Sequence, residues 1–238
     1  MRNRMAATGL RYKELTTNHA TEVGCLSALQ RLQRQGLLSH RELLCVAAAR
    51  TGQLEELKPL RENGCPRQES TCWTAAQGGH LVVLQWVHAN GCPWSEYTCG
   101  FAAEGGHIEM LQWLCENGCP WDYNTCNSAA KKGHLEVLQW ARANGYPGNF
   151  ETCIFSAKGG HLEVLKWAHE NGCTCEEFTC IWAARGGQLE VLIWLRANGC
   201  PWNKYTLKSA RALVHLEIVN WAIANGCPDS SGDSSDED

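Results

Sequence analysis

Cysteine and histidine are the residues of this chain with the most reactive chemistry, at 15 and 9 of 238 positions. The stretch TCWTAAQGGHLVVLQWVHANGCPW, residues 71–94, holds two of each. Thiolates and imidazoles at short spacing could serve a zinc site, a disulfide framework or a nucleophilic cysteine. Their register decides between these uses and a packing role. Cys45, Cys72, Cys99, Cys126, Cys153 and Cys180 stand 27 residues apart, with Leu207 in the next place. A second column runs through Cys65, Cys92, Cys119, Cys173, Cys200 and Cys227, with Tyr146 in its gap. His80, His107, His134, His161 and His215 form a third column, completed by Gln53 and Gln188.

Such ladders do not converge. Stacked helices lie about 8–10 Å apart, whereas disulfide partners need Cα atoms within about 4.4–6.8 Å. Successive cysteines of one column are therefore out of reach of each other, and a zinc ion needs three or four ligands at about 2.0–2.3 Å. Leucine, tyrosine and glutamine fill these columns elsewhere, and none of them replaces a thiolate ligand or a general base. The columns accordingly read as structural, with cysteine acting as a small buried hydrophobe. Cys25, Cys115 and Cys175 fall outside them. Cys173, Cys175 and Cys180 form the densest group, C-T-C-x₄-C, in a unit whose loop proline is replaced by Thr174. Cys115 takes a second-helix position held elsewhere by His88, Arg142 or His169, which marks it as the thiol expected to oxidise or couple.

The elements that carry these columns follow from the same period. Trp86, Trp113, Trp140, Trp167, Trp194 and Trp221 share a register, and an Asn-Gly pair recurs from Asn63-Gly64 to Asn225-Gly226. A loop proline follows two positions later in six of the seven units. Thr71, Thr98, Thr125, Thr152, Thr179 and Thr206 are expected to N-cap a first helix that carries a small Ala pair. A second helix such as HLVVLQWVHAN stops at glycine, and proline prevents its resumption. Helices of roughly 9 residues do not persist alone in water, so neighbouring units must stack into a solenoid. The six register tryptophans are expected in the inter-unit core. A fully buried indole is worth very roughly 4–6 kcal/mol there. Trp94, Trp121 and Trp202 follow the loop proline and either cover helix ends or present anchors to a partner.

Residues YTCGFAAEGGHIEMLQWLCENG and NTCNSAAKKGHLEVLQWARANG resemble ankyrin repeats, over residues 42–228. The resemblance places Cys99 on the family's buried leucine and Trp113 on a core leucine. It also puts the histidine column at the interhelical turn, tethering backbone. The family's usual period is about 33. About six residues are thus absent between the Asn-Gly stop and the next first helix, where the family carries a β-hairpin finger. The fold class expected is all-α, a solenoid of stacked helix-turn-helix units with blunt loops. Residues 1–17 read as a basic leader, a solvated one in preference to a transit peptide, and 18–41 as a degenerate N-terminal cap. Seven repeats follow at about 42–68, 69–95, 96–122, 123–149, 150–176, 177–203 and 204–228, then an acidic tail at 229–238.

The resemblance implies a non-enzymatic protein-interaction scaffold, without cofactor or metal, whose concave first-helix face holds protein partners. Two variable tracks mark that face. One runs through Arg50, Gln77, Glu104, Lys131, Lys158, Arg185 and Ala212, with Lys132 beside it, and the other through Thr74, Phe101, Ser128, Phe155, Trp182 and Ser209. Phe101, Glu104, Lys131, Lys132, Phe155, Lys158, Trp182 and Arg185 are the candidate partner-binding residues. The loops 95–97, 122–124, 176–178 and 203–205 stand beside them as candidate contacts. The basic side chains suit an acidic, aromatic-tolerant segment, or form an ordinary solvated face. A net charge of −4 argues against nucleic acid. No apolar run approaches the roughly 18 residues of a membrane span, and a monomer in the cytoplasm, or alternatively the nucleus, is expected. The tail DSSGDSSDED places an acid three positions after Ser230, Ser234 and Ser235, which are candidate phosphorylation sites. Extended over about 33–36 Å, the tail could fold back over the basic face and compete with a partner. The competing function is a thiol-based redox sensor or metal-binding protein using Cys115 and the 173–180 group.

Overall fold

The computed structural model describes residues 42–145 and 150–229. The leader, the capping segment with Cys25, residues 146–149 and Ser230, Ser234 and Ser235 lie outside the described residues. The chain divides into two compact units, Met1–Trp121 and Asp122–Asp238. Among the described residues every element is helical and no strand occurs.

The first unit holds α1 (Glu42–Arg50), α2 (Leu54–Glu62), α3 (Glu69–Gln77), α4 (Leu81–Ala89), α5 (Glu96–Glu104) and α6 (Ile108–Glu116). The second holds α7 (Tyr123–Lys132), α8 (Leu135–Ala143), α9 (Phe150–Gly159), α10 (Leu162–Glu170), α11 (Glu177–Arg185), α12 (Leu189–Ala197), α13 (Lys204–Ala212) and α14 (Leu216–Ala224). Odd-numbered helices stack side by side within each unit, α1 on α3 on α5 and α7 on α9 on α11 on α13. Each also packs on its own even-numbered partner. The Ala pairs explain the stacking: Ala75, Ala76, Ala102, Ala103, Ala129, Ala130, Ala183 and Ala184 are wholly buried, and a side chain of one carbon lets backbones approach closely. Within each unit the described residues form the all-α stack of helix-turn-helix repeats that the periodicity requires.

Two expectations change in detail. The first helices begin three residues before the threonines, at N-caps such as Ser95 and Glu176. Thr98 Oγ1 accepts from the Ser95 N–H at 3.4 Å, and Thr179 Oγ1 from the Glu176 N–H at 3.3 Å. Threonine is thus the returning arm of a capping box, at the third helical position, where its methyl group is also buried. The register tryptophans are half-buried. Full burial on the second helices falls to aliphatic side chains such as Val83, Leu84, Val87, Val191, Leu192 and Leu195. In the second unit Trp167, Trp194 and Trp221 pack against the margin of that core. An indole is too bulky to lie within a stack set by alanines.

Each second helix ends in the same way. Asn90 Nδ2 donates to the Trp86 carbonyl at 2.8 Å, and Asn117, Asn198 and Asn225 do likewise one turn back. The following glycine takes a positive φ, 78° at Gly91, which satisfies the last free carbonyls and turns the chain out.

Candidate functional site

Histidine stands at the start of the second helices α4, α6, α8, α10 and α14, and the rings of His80, His107, His161 and His215 reach back to the preceding repeat. Nε2–H donates to a carbonyl 30 residues earlier: His80 to Arg50 at 2.9 Å and His107 to Gln77 at 3.2 Å. In the second unit His161 donates to Lys131 at 2.9 Å and His215 to Arg185 at 3.2 Å. A carbonyl only accepts, so Nε2 carries the proton and the imidazole is a stitch between backbones. Gln188 keeps the position but turns to its own loop, donating to the Gly186 carbonyl at 2.8 Å. The interhelical glycines make room for these rings. A Cβ on Gly79, whose φ is +74°, would lie 2.5 Å from the His107 ring.

Those carbonyls belong to the first variable track, so the stitches fix the first-helix ends that carry its side chains. Arg50 Nη1 donates to Gln77 Oε1 at 3.0 Å, joining neighbours along that track. In the second unit Lys158 Nζ lies 4.5 Å and Arg185 Cζ 4.9 Å from the Trp182 ring centre, two cations on one half-buried indole. Lys131 and Lys132 are exposed and Phe155 is half-buried. In the first unit Phe101 stacks on Trp73 with ring centres 4.7 Å apart, and Glu104 is half-buried. Thr74 faces inward instead, fully buried with its hydroxyl donating to the Ser70 carbonyl at 2.6 Å.

The sequence reading named the contact loops but did not single out the aromatic side chains they carry. Tyr97, Tyr123, Phe178 and Tyr205 are 62%, 61%, 58% and 51% exposed, within the candidate contact loops at the starts of α5, α7, α11 and α13. The signal was present: an aromatic residue two or three positions before the column cysteine, obscured because it shifts by one.

Loop tryptophans act chiefly as covers. Trp94 stacks on His88 at 3.4 Å with planes 7° apart and meets Trp113 edge-on at 5.6 Å. Trp202 lies 4.4 Å beneath the Arg196 guanidinium and edge-on to Trp221 at 5.7 Å.

Cysteines of one column do not meet, but the two columns do. Cys45 and Cys65 form a disulfide with Cα atoms 7.1 Å apart, just outside the usual span. The pairing links a first helix to the loop 20 residues on, inside one repeat. The geometry of one column excluded contacts along the ladder but did not bear on contacts across it. Elsewhere the loop cysteines serve as backbone donors: Cys119 Sγ to the Ser95 carbonyl at 3.4 Å and Cys227 Sγ to Asn203 at 3.6 Å. Cys180 and Cys200 sulfurs lie 3.5 Å apart. Cys175 differs, being half-buried, packed against the cluster that holds Cys153 and Cys200, and 3.9 Å from His169 Nδ1. Hydrogen bonds from Cys153 and Cys200, helped by His169, hold its thiol down at about 3 against the effect of burial. Cys115 is the reverse of the expected reactive thiol: half-buried, and pushed up to about 11 by burial, with Cys119 and Glu116 adding. Among the described residues no group of three or more His, Cys, Asp or Glu side chains is placed to hold a metal ion. Nor is any described helix long and apolar enough to cross a membrane.

A family model described as ankyrin repeats (many copies) matches residues 99–142 and 126–169. Among solved structures the chain is similar to the human ASB11 ankyrin repeat domain, with a TM-score of 0.51 and 19% identity over 66% of this chain and 84% of that one. No curated protein matches the chain in sequence.

Proposed function

We propose that the chain, whose residues 99–169 match the ankyrin repeat model, is a non-enzymatic interaction scaffold which holds an acidic, aromatic-containing segment of a protein partner. Ankyrin repeats are protein-interaction modules, and that coarse role follows from the family. The finer reading rests on Trp182, with Lys158 and Arg185 set on its ring. The arrangement offers charge and a flat apolar face together, which a carboxylate-flanked aromatic side chain would use. Lys131 and Lys132 extend the positive charge on α7, and Phe155 supplies a further apolar contact on α9. Phe101 and Glu104 hold the equivalent places in the first unit. A monomer in the cytoplasm or nucleus, without nucleic acid, completes the proposal. Most described cysteines remain thiols, which suits such a reducing setting.

The acidic tail belongs to the same reading. Asp229 is held by Arg211 through paired contacts of 2.7 Å. From there the tail competes for the basic face, and phosphorylation of Ser230, Ser234 or Ser235 strengthens that competition.

A synthetic acidic peptide containing tryptophan or phenylalanine, titrated at low salt, tests the proposal. The Lys131→Glu/Lys132→Glu/Lys158→Glu variant is expected to bind about tenfold or more weakly. Deleting residues 230–238 is expected to tighten binding by the wild-type chain. Equal affinity for the charge-reversed and wild-type chains would refute the basic-face reading.

A further inference from the structure

The loop after α10 differs from its equivalents in a way the scaffold role does not use. Its proline is Thr174, and the place of Trp94 and Trp202 is taken by Cys175. His169 stands where His88 stands, but it faces a sulfur at 3.9 Å instead of a stacked indole. Where other loops carry an indole, five thiols gather: Cys173 and Cys175 pack against the buried cluster that holds Cys153, Cys180 and Cys200, and Cys200 lies 3.5 Å from Cys180. Cys153, Cys180 and Cys200 are buried at 0%, 0% and 3%, whereas Cys175 is half-open beside the exposed Thr174 and Glu176.

We propose that Cys175 is a reversible thiol–disulfide exchange site for low-molecular-weight disulfides of the glutathione class, with Cys153 or Cys200 as the resolving thiol. The Cys175 thiolate attacks one sulfur of the small disulfide. A Cys175–S–S–R bond forms, the R–S–S–R bond breaks, and RS⁻ leaves to take a proton from solvent. Cys153 or Cys200 then gives up its proton, its thiolate attacks Cys175 Sγ, and the departing RS⁻ takes a proton in turn. The products are an intrachain disulfide and a second RSH. Two protein thiols lose two electrons and two protons, and the small disulfide becomes two thiols. Cys45–Cys65 joins the two column places that Cys153 and Cys173 hold here, two residues from Cys175. The hydrogen bonds that stabilise the Cys175 thiolate also make it a good leaving group, so the closed form is readily reduced again.

Lower basicity reduces intrinsic nucleophilicity by about 0.4–0.5 log units per pKa unit, while thiolate fraction rises by a full log unit below the pKa of the competing thiol. The advantage of Cys175 therefore grows as pH falls. The test uses the full reduced chain, oxidised glutathione at pH 5, and peptide mapping by mass spectrometry over time. Cys175 is expected to be modified about a hundredfold faster than Cys115. Its mixed disulfide then decays into a Cys175 bond to Cys153 or Cys200. Cys175→Ser abolishes the fast phase, and so does Cys175→Trp, which restores the cover and keeps the fold, checked by circular dichroism. Modification of Cys175 no faster than Cys115 would overturn the proposal. So would a fast phase surviving in Cys175→Ser, or a mixed disulfide that never closes.

Discussion

The loops after α4 and α10 start from nearly the same sequence and end in different chemistry. After α4 the order is Cys92, Pro93, Trp94; after α10 it is Cys173, Thr174, Cys175. In the first, an indole lies flat on His88, and Cys92 is 2% exposed. In the second, a thiol takes that place, and the buried sulfurs behind it gain a half-open neighbour. Hydrogen bonding to Cys72 holds the Cys92 thiol down at about 7, so it too has a stabilised thiolate. What separates the two sites is access. Two substitutions in a repeated loop exchange a proline and a covering indole for Thr174 and a half-open thiol.

The largest effect on this comparison is expected where the turns behind the two loops differ. Gly79→Ala must place a Cβ at φ +74° and 2.5 Å from the His107 ring, which also breaks its bond to Gln77. A loss of about 3 kcal/mol is expected in denaturant unfolding, from left-handed strain together with the lost stitch. Gly160→Ala meets the flexible Gln188 side chain instead and should cost about 1–2 kcal/mol. Equal losses would show that the histidine stitch adds nothing. Trp94→Ala removes a half-buried cover and is expected to cost about 2 kcal/mol, less than a fully buried indole. Trp94→Cys should in addition give a thiol beside His88 that reacts at low pH, and a slow thiol there would break the equivalence of the loops.

A pH dependence sharpens the contrast. Folding holds Cys175 at about 3, below the ordinary thiol value of about 8.5. The stability it contributes is full above the ordinary value and is lost as pH falls toward the folded one. Relative to Cys175→Ser, the reduced wild-type chain should therefore gain stability from acid pH to about pH 8.5, followed by thermal unfolding. A parallel pair of curves would remove the stabilised thiolate. The smallest effect is expected at the third loop, where Arg196→Ala takes a cation from Trp202 and should cost about 0.5–1 kcal/mol.

Most of the scaffold was legible because it repeats. The 27-residue columns show that each position has one environment, and the Asn-Gly pair and the turn histidine each recur with one hydrogen bond. The threonines were misplaced by one helical turn because a hydroxyl serves either arm of a capping box. The tryptophans were assigned too deep a position, since their recurrence shows a shared environment but not its depth. The stripe of Lys131, Lys158 and Arg185 was legible as composition. The contact of two of these cations with Trp182 was not, because it depends on the offset between stacked first helices.

The sequence by itself determined the period, the all-helical units and their need to stack, since short amphipathic helices have no other way to bury their apolar faces. It also determined that no column converges with itself. Only the tertiary structure decided which columns face each other. Packing of a first helix against its own loop brings together sulfurs 20 residues apart, and the side chain over that contact sets whether solvent reaches them.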